Sequence, residues 1–209
     1  MNLTERTPLK INNLVQKFCK EVVSDTFPQL VKVEVWEKSE SLDCYNNVKK
    51  YCSEFGGEVV YGWMILIWPS VFIEAQIHAV WKDLSGNLLD ITDNDGHYDK
   101  ILFLEDKNKI YERKQVNNIR KALRNTNLIN EYIRLNNKEF EIKNEGELAE
   151  KTGDDFLQEI KKDQNKYRIL KEIINRKMII QAYLENPNKI GCNNSCPCGS
   201  GRKFKKCCG

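Results

Sequence analysis

No apolar run in this chain exceeds six residues. The longest, Trp63-Met64-Ile65-Leu66-Ile67-Trp68, is stopped by Pro69. A membrane-spanning helix needs about 20 apolar residues, so none is expected. The first residues carry charge at Glu5, Arg6 and Lys10 and include no apolar signal core, so no secretion signal is expected either. Internal repeats and low-complexity tracts are missing. Histidine is scarce, with only His78 and His97 among 209 residues, so any imidazole chemistry falls on one of these two. The balance of 41% hydrophobic and 30% charged residues is that of a folded chain rather than a disordered one.

Cysteine, by contrast, is plentiful, with eight in all. Disulfides would follow if the chain were exported. Without a signal, zinc plus reduced thiols in a cytoplasm is the expectation. Charge is uneven. Residues 1–99 carry 9 basic against 15 acidic side chains, residues 100–190 carry 20 against 15, and residues 191–209 carry 4 and none. The front is therefore acidic and the back basic, which would steer an acidic partner toward the tail. No helix-turn-helix or aromatic RNA-binding pattern accompanies the lysines, so nucleic acid is not expected as a partner.

The patterning predicts an α+β front. Thr7-Pro8 resembles an N-cap with proline at the first helical position, which would open a helix over 8–23. Val31, Val33 and Val35 alternate with polar residues as in a strand. Residues 41–55 read as a helix closed by Gly56-Gly57. Strands follow over 58–68, 71–82, 88–92 and 101–104. From about residue 112 to 185 the spacing turns helical, through Ile119, Leu123, Leu128, Tyr132, Leu135, Leu170, Ile173, Ile174, Ile179 and Ile180. Trp36, Trp63, Trp68 and Trp81 are expected in the core or in pocket walls. The expected domains are residues 1–105, a helical region over 106–190, and a small knuckle over 191–209.

The tail is the sharpest signal. Cys196 and Cys198 are followed, after eight residues, by Cys207 and Cys208. Four thiolates complete a tetrahedral zinc shell with no open position, which makes a structural site rather than a catalytic one. Some twenty residues cannot bury enough core to fold alone, so the metal must supply the folding energy. Cys192 lies outside the spacing. This segment resembles the SEC-C motif, the zinc tail of the preprotein translocase ATPase, in its cysteine spacing, its glycines and its basic-aromatic middle. There the tail binds an acidic export chaperone. The resemblance implies Zn2+ on Cys196, Cys198, Cys207 and Cys208, and a docking surface for an acidic protein at Arg202, Lys203, Phe204, Lys205 and Lys206.

Three front segments suggest thiol chemistry. Cys44 stands at a helix N-terminus, His78 on a strand, and Asp90 on the next strand. A helix N-terminus and an adjacent imidazolium both favour thiolate. An acid on the far ring nitrogen fixes the tautomer. Hairpin arithmetic supplies a check. A three-residue loop over 84–86 ending in a Gly86 bulge pairs 83 with 87, so 80 faces 90 and 78 faces 92. His78 and Asp90 are then diagonal neighbours on one face. A loop one residue shorter or longer puts them on opposite faces.

The order Cys, His, Asp resembles the papain-like superfamily, with a central helix against an antiparallel sheet. His78-Ala79-Val80-Trp81 and Asp90-Ile91-Thr92 look like the strands of its transglutaminase-like branch. Cys44-Tyr45-Asn46-Asn47-Val48 looks like the start of its N-terminal glutamine amidase branch. The resemblance implies a thiol-dependent amide hydrolase acting on a protein or peptide, with catalytic Cys44, His78 and Asp90. No oxyanion glutamine precedes Cys44; Gln76 or the Cys44 N–H is the candidate donor. The same residues also admit other readings. Cys44 can be a core residue, His78 a structural partner of Glu74 or Gln76, Asp90 a cap for the turn at 93–96, or His78 and Asp90 a metal pair. The whole protein can equally be a non-catalytic adaptor that docks through its zinc tail.

Overall fold

The computed structural model describes residues 5–93, 99–109, 115–186 and 190–208. The chain divides into two units. One comprises residues 1–69 and 73–121, the other residues 70–72 and 122–209.

The first unit is built on a sheet. Its strands are β1 (Gln29–Val33), β2 (Glu58–Trp68), β3 (Phe72–Lys82), β4 (Leu88–Asp90), β5 (Lys100–Glu105) and β6 (Ile119–Ala122). The order is β2-β5-β1-β4-β3-β6, and β2 also pairs with β3, which closes the first five strands on themselves. The sheet is not purely antiparallel, as the sequence suggested, because β1 and β4 run parallel with Lys32 opposite Leu89. A second difference lies at β6, in a stretch that reads as helical. Ile119 is 40% exposed there and does not lie on a helix's apolar face.

Among its described residues this unit carries the helices α1 (Asn13–Val22) and α2 (Cys44–Phe55). α1 starts five residues later than its Thr7-Pro8 signal implies. The sheet takes up that segment instead. Arg6 exchanges two backbone hydrogen bonds with Ile67, at 3.0 and 2.9 Å, and the buried Thr7 hydroxyl accepts from Leu102 N–H at 2.7 Å. Asn12 becomes the cap, its Oδ1 accepting from Val15 N–H. α2 ends at Gly56, where the expected glycine closure is found. Apolar clusters among the described residues hold the unit together. Val31, Val60, Met64, Leu66, Val80, Ile101 and Phe103 form one. Cys44, Val48, Ala79 and Ile91 form another, with Trp36, Tyr51 and Trp81 against it.

The β3–β4 turn has the length that the hairpin arithmetic requires. Trp81 lies opposite Leu89 and Lys82 opposite Leu88. Asp83 N–H donates to Asn87 O, and Gly86 has φ +90°, a conformation glycine adopts without steric cost. The Asp83 carboxylate accepts from Ser85 N–H and Asn87 N–H, each at 2.8 Å. β4 stops at Asp90 rather than Thr92, because the Asp90 side chain captures the Thr92 N–H at 3.1 Å.

The second unit carries α3 (Asn127–Lys143), α4 (Gly153–Lys161) and α5 (Gln164–Glu185), followed by the cysteine-rich knuckle. Thr126 caps α3 and Asp163 caps α5. Leu128, Ile129, Tyr132 and Leu135 of α3 are buried, as are Leu170, Ile173 and Ile180 of α5. Ile179, assigned to the buried face by its spacing, is 53% exposed.

Candidate functional site

Cys44 is the first residue of α2 and is buried. Asp43 precedes it but does not cap the helix. Its carboxylate instead accepts from Asn46 Nδ2, at 2.9 and 3.0 Å. The first-turn amides thus lack that side-chain cap. Leu42, two residues earlier, has φ +64°, a strained conformation for a branched residue. Asn47 holds this approach in place. Fully buried, its Oδ1 accepts from Glu40 N–H at 2.9 Å and its Nδ2 donates to Glu40 O at 2.7 Å.

The structure brings Cys44, His78 and Asp90 together. His78 Nε2 lies 3.0 Å from Asp90 Oδ2, and both side chains are buried. A carboxylate can only accept there, so Nε2 carries hydrogen. The other carboxylate oxygen is held by Thr92 N–H. The Cys44 sulfur acts on the charge of the same ring, and Nδ1 is the ring nitrogen not engaged by Asp90. Burial opposes charge on His78, but the Asp90 carboxylate and the Cys44 sulfur override it and hold the imidazole well above its ordinary range. Cys44 packs with Ala79 and Ile91, the chain neighbours of His78 and Asp90. His97 lies outside the described residues.

Gln76, the candidate oxyanion donor, is engaged elsewhere: its amide donates to Glu74 Oε1 at 2.5 Å. Glu74 is itself buried and paired with Arg120, Nε to Oε2 at 2.8 Å. Burial and the charge of Glu74 push the Glu5 carboxyl up to about 9. The sequence offered no sign of this Glu5–Glu74–Arg120 group, which joins residues more than a hundred positions apart.

At the C-terminus, the sulfurs of Cys196, Cys198, Cys207 and Cys208 all lie within 4.8 Å of one another. No cysteine is in a disulfide. The knuckle folds through Cys196 N–H to Arg202 O at 2.7 Å, Phe204 N–H to Asn194 O at 2.8 Å and Lys205 N–H to Cys192 O at 3.0 Å. Cys192 thus contributes its carbonyl, while its thiol is exposed. Cys207 collects donors from Ser200 Oγ at 3.1 Å, Asn127 Nδ2 at 3.4 Å and Arg202 Nη2 at 3.5 Å. The Ser200 and Asn127 hydrogen bonds lower its pKa to about 6. Burial and the neighbouring thiols move Cys208 the other way. Arg202, expected to face a partner, turns its guanidinium toward the sulfur. Lys203, Lys205 and Lys206 are exposed, and Phe204 is half-buried.

Comparison with known proteins bears on the knuckle alone. No solved structure matches the chain. Protein translocase subunit SecA of Thermodesulfovibrio yellowstonii is 69% identical over 26 residues, which is 12% of this chain and 3% of that protein. SecA of Endomicrobium trichonymphae is 82% identical over 22 residues, 10% of this chain and 3% of that protein. SecA of one Clostridium botulinum strain is 65% identical over 26 residues, again 12% and 3%. The chain thus spans only about 3% of the length of these curated relatives. Within that short overlap, residues 193–209 match the SEC-C motif, a zinc-binding motif.

Proposed function

We propose that this protein docks a partner with an acidic surface through a zinc-folded knuckle. The sulfur cluster carries this reading. A tetrahedral zinc–thiolate shell with bonds of about 2.3 Å separates its sulfurs by about 3.8 Å. Here Cys198 and Cys207 stand 3.4 Å apart, and Cys207 and Cys208 3.8 Å apart. When bound, the metal supplies folding energy and leaves no coordination position for a substrate. The exposed Lys203, Lys205 and Lys206 then present a fixed positive face. Reduced thiols and a thiolate metal site fit a cytoplasmic setting. The test is metal content together with binding of a poly-glutamate peptide. One zinc per chain is expected, with peptide binding that is lost on chelation and in the Lys203→Glu/Lys205→Glu/Lys206→Glu protein. Full binding by metal-free protein would refute the docking role.

A second reading rests on a separate observation, the contact between His78 and Asp90 with Cys44 on the same ring. It makes the front a papain-like thiol amide hydrolase. The Cys44 proton rests on His78 Nδ1, and the sulfur attacks an amide carbonyl as the thiolate. The oxyanion is received by the Cys44 N–H at the start of α2. The imidazolium then protonates the leaving nitrogen as the C–N bond breaks, giving a thioester and an amine or ammonia. Water, deprotonated by the same imidazole, cleaves the thioester to a carboxylic acid and the free thiol. Asp90 orients the ring throughout. The substrate class is a side-chain amide, a peptide or an isopeptide bond. Cys44→Ala separates the two readings: the hydrolase loses all turnover, whereas the adaptor keeps its function.

A further inference from the structure

The knuckle is gripped by two helices of its own unit. Asn127, the first residue of α3, directs Nδ2 at the Cys207 sulfur from 3.4 Å. Arg176 of α5 donates Nη2 to the Cys198 carbonyl. Its Nε lies 3.1 Å from Glu131 Oε1 of α3, an attraction of charge, since no acceptor among the described residues stands along the Nε–H direction. Gly199 makes the second contact close: a Cβ there would stand 1.7 Å from Arg176 Nη2. Ser200 and Arg202, the other donors to Cys207, belong to the knuckle itself. Asn127 comes from 80 residues earlier in the chain.

A metal-bound thiolate keeps lone pairs that outer donors can satisfy. Such donors fix the direction of the ligand and tune its charge. We propose that Asn127 is a positioning residue of the metal centre and that metal binding and the first turn of α3 stabilise each other. This rests on the zinc reading above. Coupling of this kind is reciprocal. Whatever Asn127 adds to metal affinity, the bound metal returns to the stability of the helix.

The test uses the full chain and the Asn127→Ala protein. Alanine is the strongest helix former, and Thr126 still caps the helix, so the variant keeps α3. Co2+ and then Zn2+ are titrated against a chelator. The variant is expected to bind 10- to 100-fold more weakly, with a shifted thiolate-to-cobalt absorption band. Chelation should lower the melting temperature of the native protein more than that of the variant. Asn130→Ala, on the same helix but bonded to Asn125 rather than to sulfur, should behave as the native protein. If the native protein takes up no metal, the zinc reading itself falls, and this proposal with it. If the native protein and Asn127→Ala bind equally, with the same band and the same response to chelation, the role of Asn127 is overturned and the zinc reading stands.

Discussion

His78 and Asp90 meet across the β3–β4 hairpin at 3.0 Å, two side chains brought to one face by the length of the turn between them. Each is buried, so the pair matters to the fold whatever else it does. Burial disfavours charge on His78, but Asp90 and the Cys44 sulfur hold its pKa well above 6.5. A raised imidazole pKa stabilises the fold fully below the unfolded value near 6.5 and loses that effect as pH rises through the folded value. Asp90→Asn should therefore lower unfolding stability by ~3 kcal/mol at pH 6. The deficit should shrink at higher pH. Urea titrations at pH 6 and pH 9 measure this; an equal deficit at both would show that the ring is not charged in the fold.

The thiol reading makes its own prediction about reactivity. Alkylation by iodoacetamide, followed residue by residue, should find Cys44 the fastest front cysteine at pH 6.5. Replacing His78 by alanine should slow it at least ~10-fold, because the partner that favours thiolate is gone. Cys19 is the internal control, since burial pushes its thiol up to about 11. If Cys44 labels at the same rate with and without His78, the imidazole does not activate it.

Much of this region was legible because its signals are local. The helix beginning at Cys44, the glycine closure at Gly56 and the three-residue turn ending at Gly86 each depend on residues within a few positions of one another. What was not legible depends on distant segments. Thr7-Pro8 carries genuine cap chemistry, yet Ile67 and Leu102 claim that segment's hydrogen bonds. β1 and β4 lie side by side in parallel with no local pattern to announce it. β6 reads Ile-Arg-Lys-Ala, with neither alternation nor β-branched enrichment, and is a strand only because β3 offers it an edge. The cysteine spacing disclosed the cluster of four sulfurs but could not disclose Asn127. Nor could it separate Arg202, bonded to sulfur, from the three exposed lysines.

Asn47 anchors the loop that leads into Cys44. Its amide exchanges two hydrogen bonds with the backbone of Glu40 and donates a third to Thr92 Oγ1 at 3.5 Å, and the side chain is fully buried. Asn47→Ala leaves the Glu40 N–H and C=O without that partner inside the fold. A loss of about 2–3 kcal/mol in unfolding stability is expected, along with slower alkylation of Cys44 as the loop shifts. An Asn47→Ala protein of native stability would mean that water replaces the amide at no cost.

The Glu5–Glu74 pair predicts a pH effect that a single substitution should remove. The Glu5 carboxyl is held at about 9 in the fold by burial and by the Glu74 charge. A folded pKa above the unfolded one favours the neutral form, so stability is lost as pH rises from about 4.5 toward 9. Glu5→Gln is permanently neutral. It should be more stable than the native chain at pH 8, by on the order of 1 kcal/mol, and indistinguishable from it at pH 4. A variant that is less stable at pH 8 would show that Glu5 is ionised and paired with Arg120.

Gly199 and Gly201 together isolate the grip of Arg176 on the knuckle. Both have positive φ, +79° and +73°, so alanine at either position carries a similar conformational cost of about 1 kcal/mol. Their surroundings differ. Among the described residues a Cβ at Gly201 meets nothing within 4 Å, whereas one at Gly199 runs into the Arg176 guanidinium. Gly199→Ala should therefore weaken zinc binding more than Gly201→Ala, by a further ~10-fold, equivalent to about 1.4 kcal/mol. In an Arg176→Ala background the clash has no partner, and the two alanine substitutions should cost the same. If Gly199→Ala remains the worse of the two without Arg176, the extra cost arises within the knuckle itself and α5 plays no part in it.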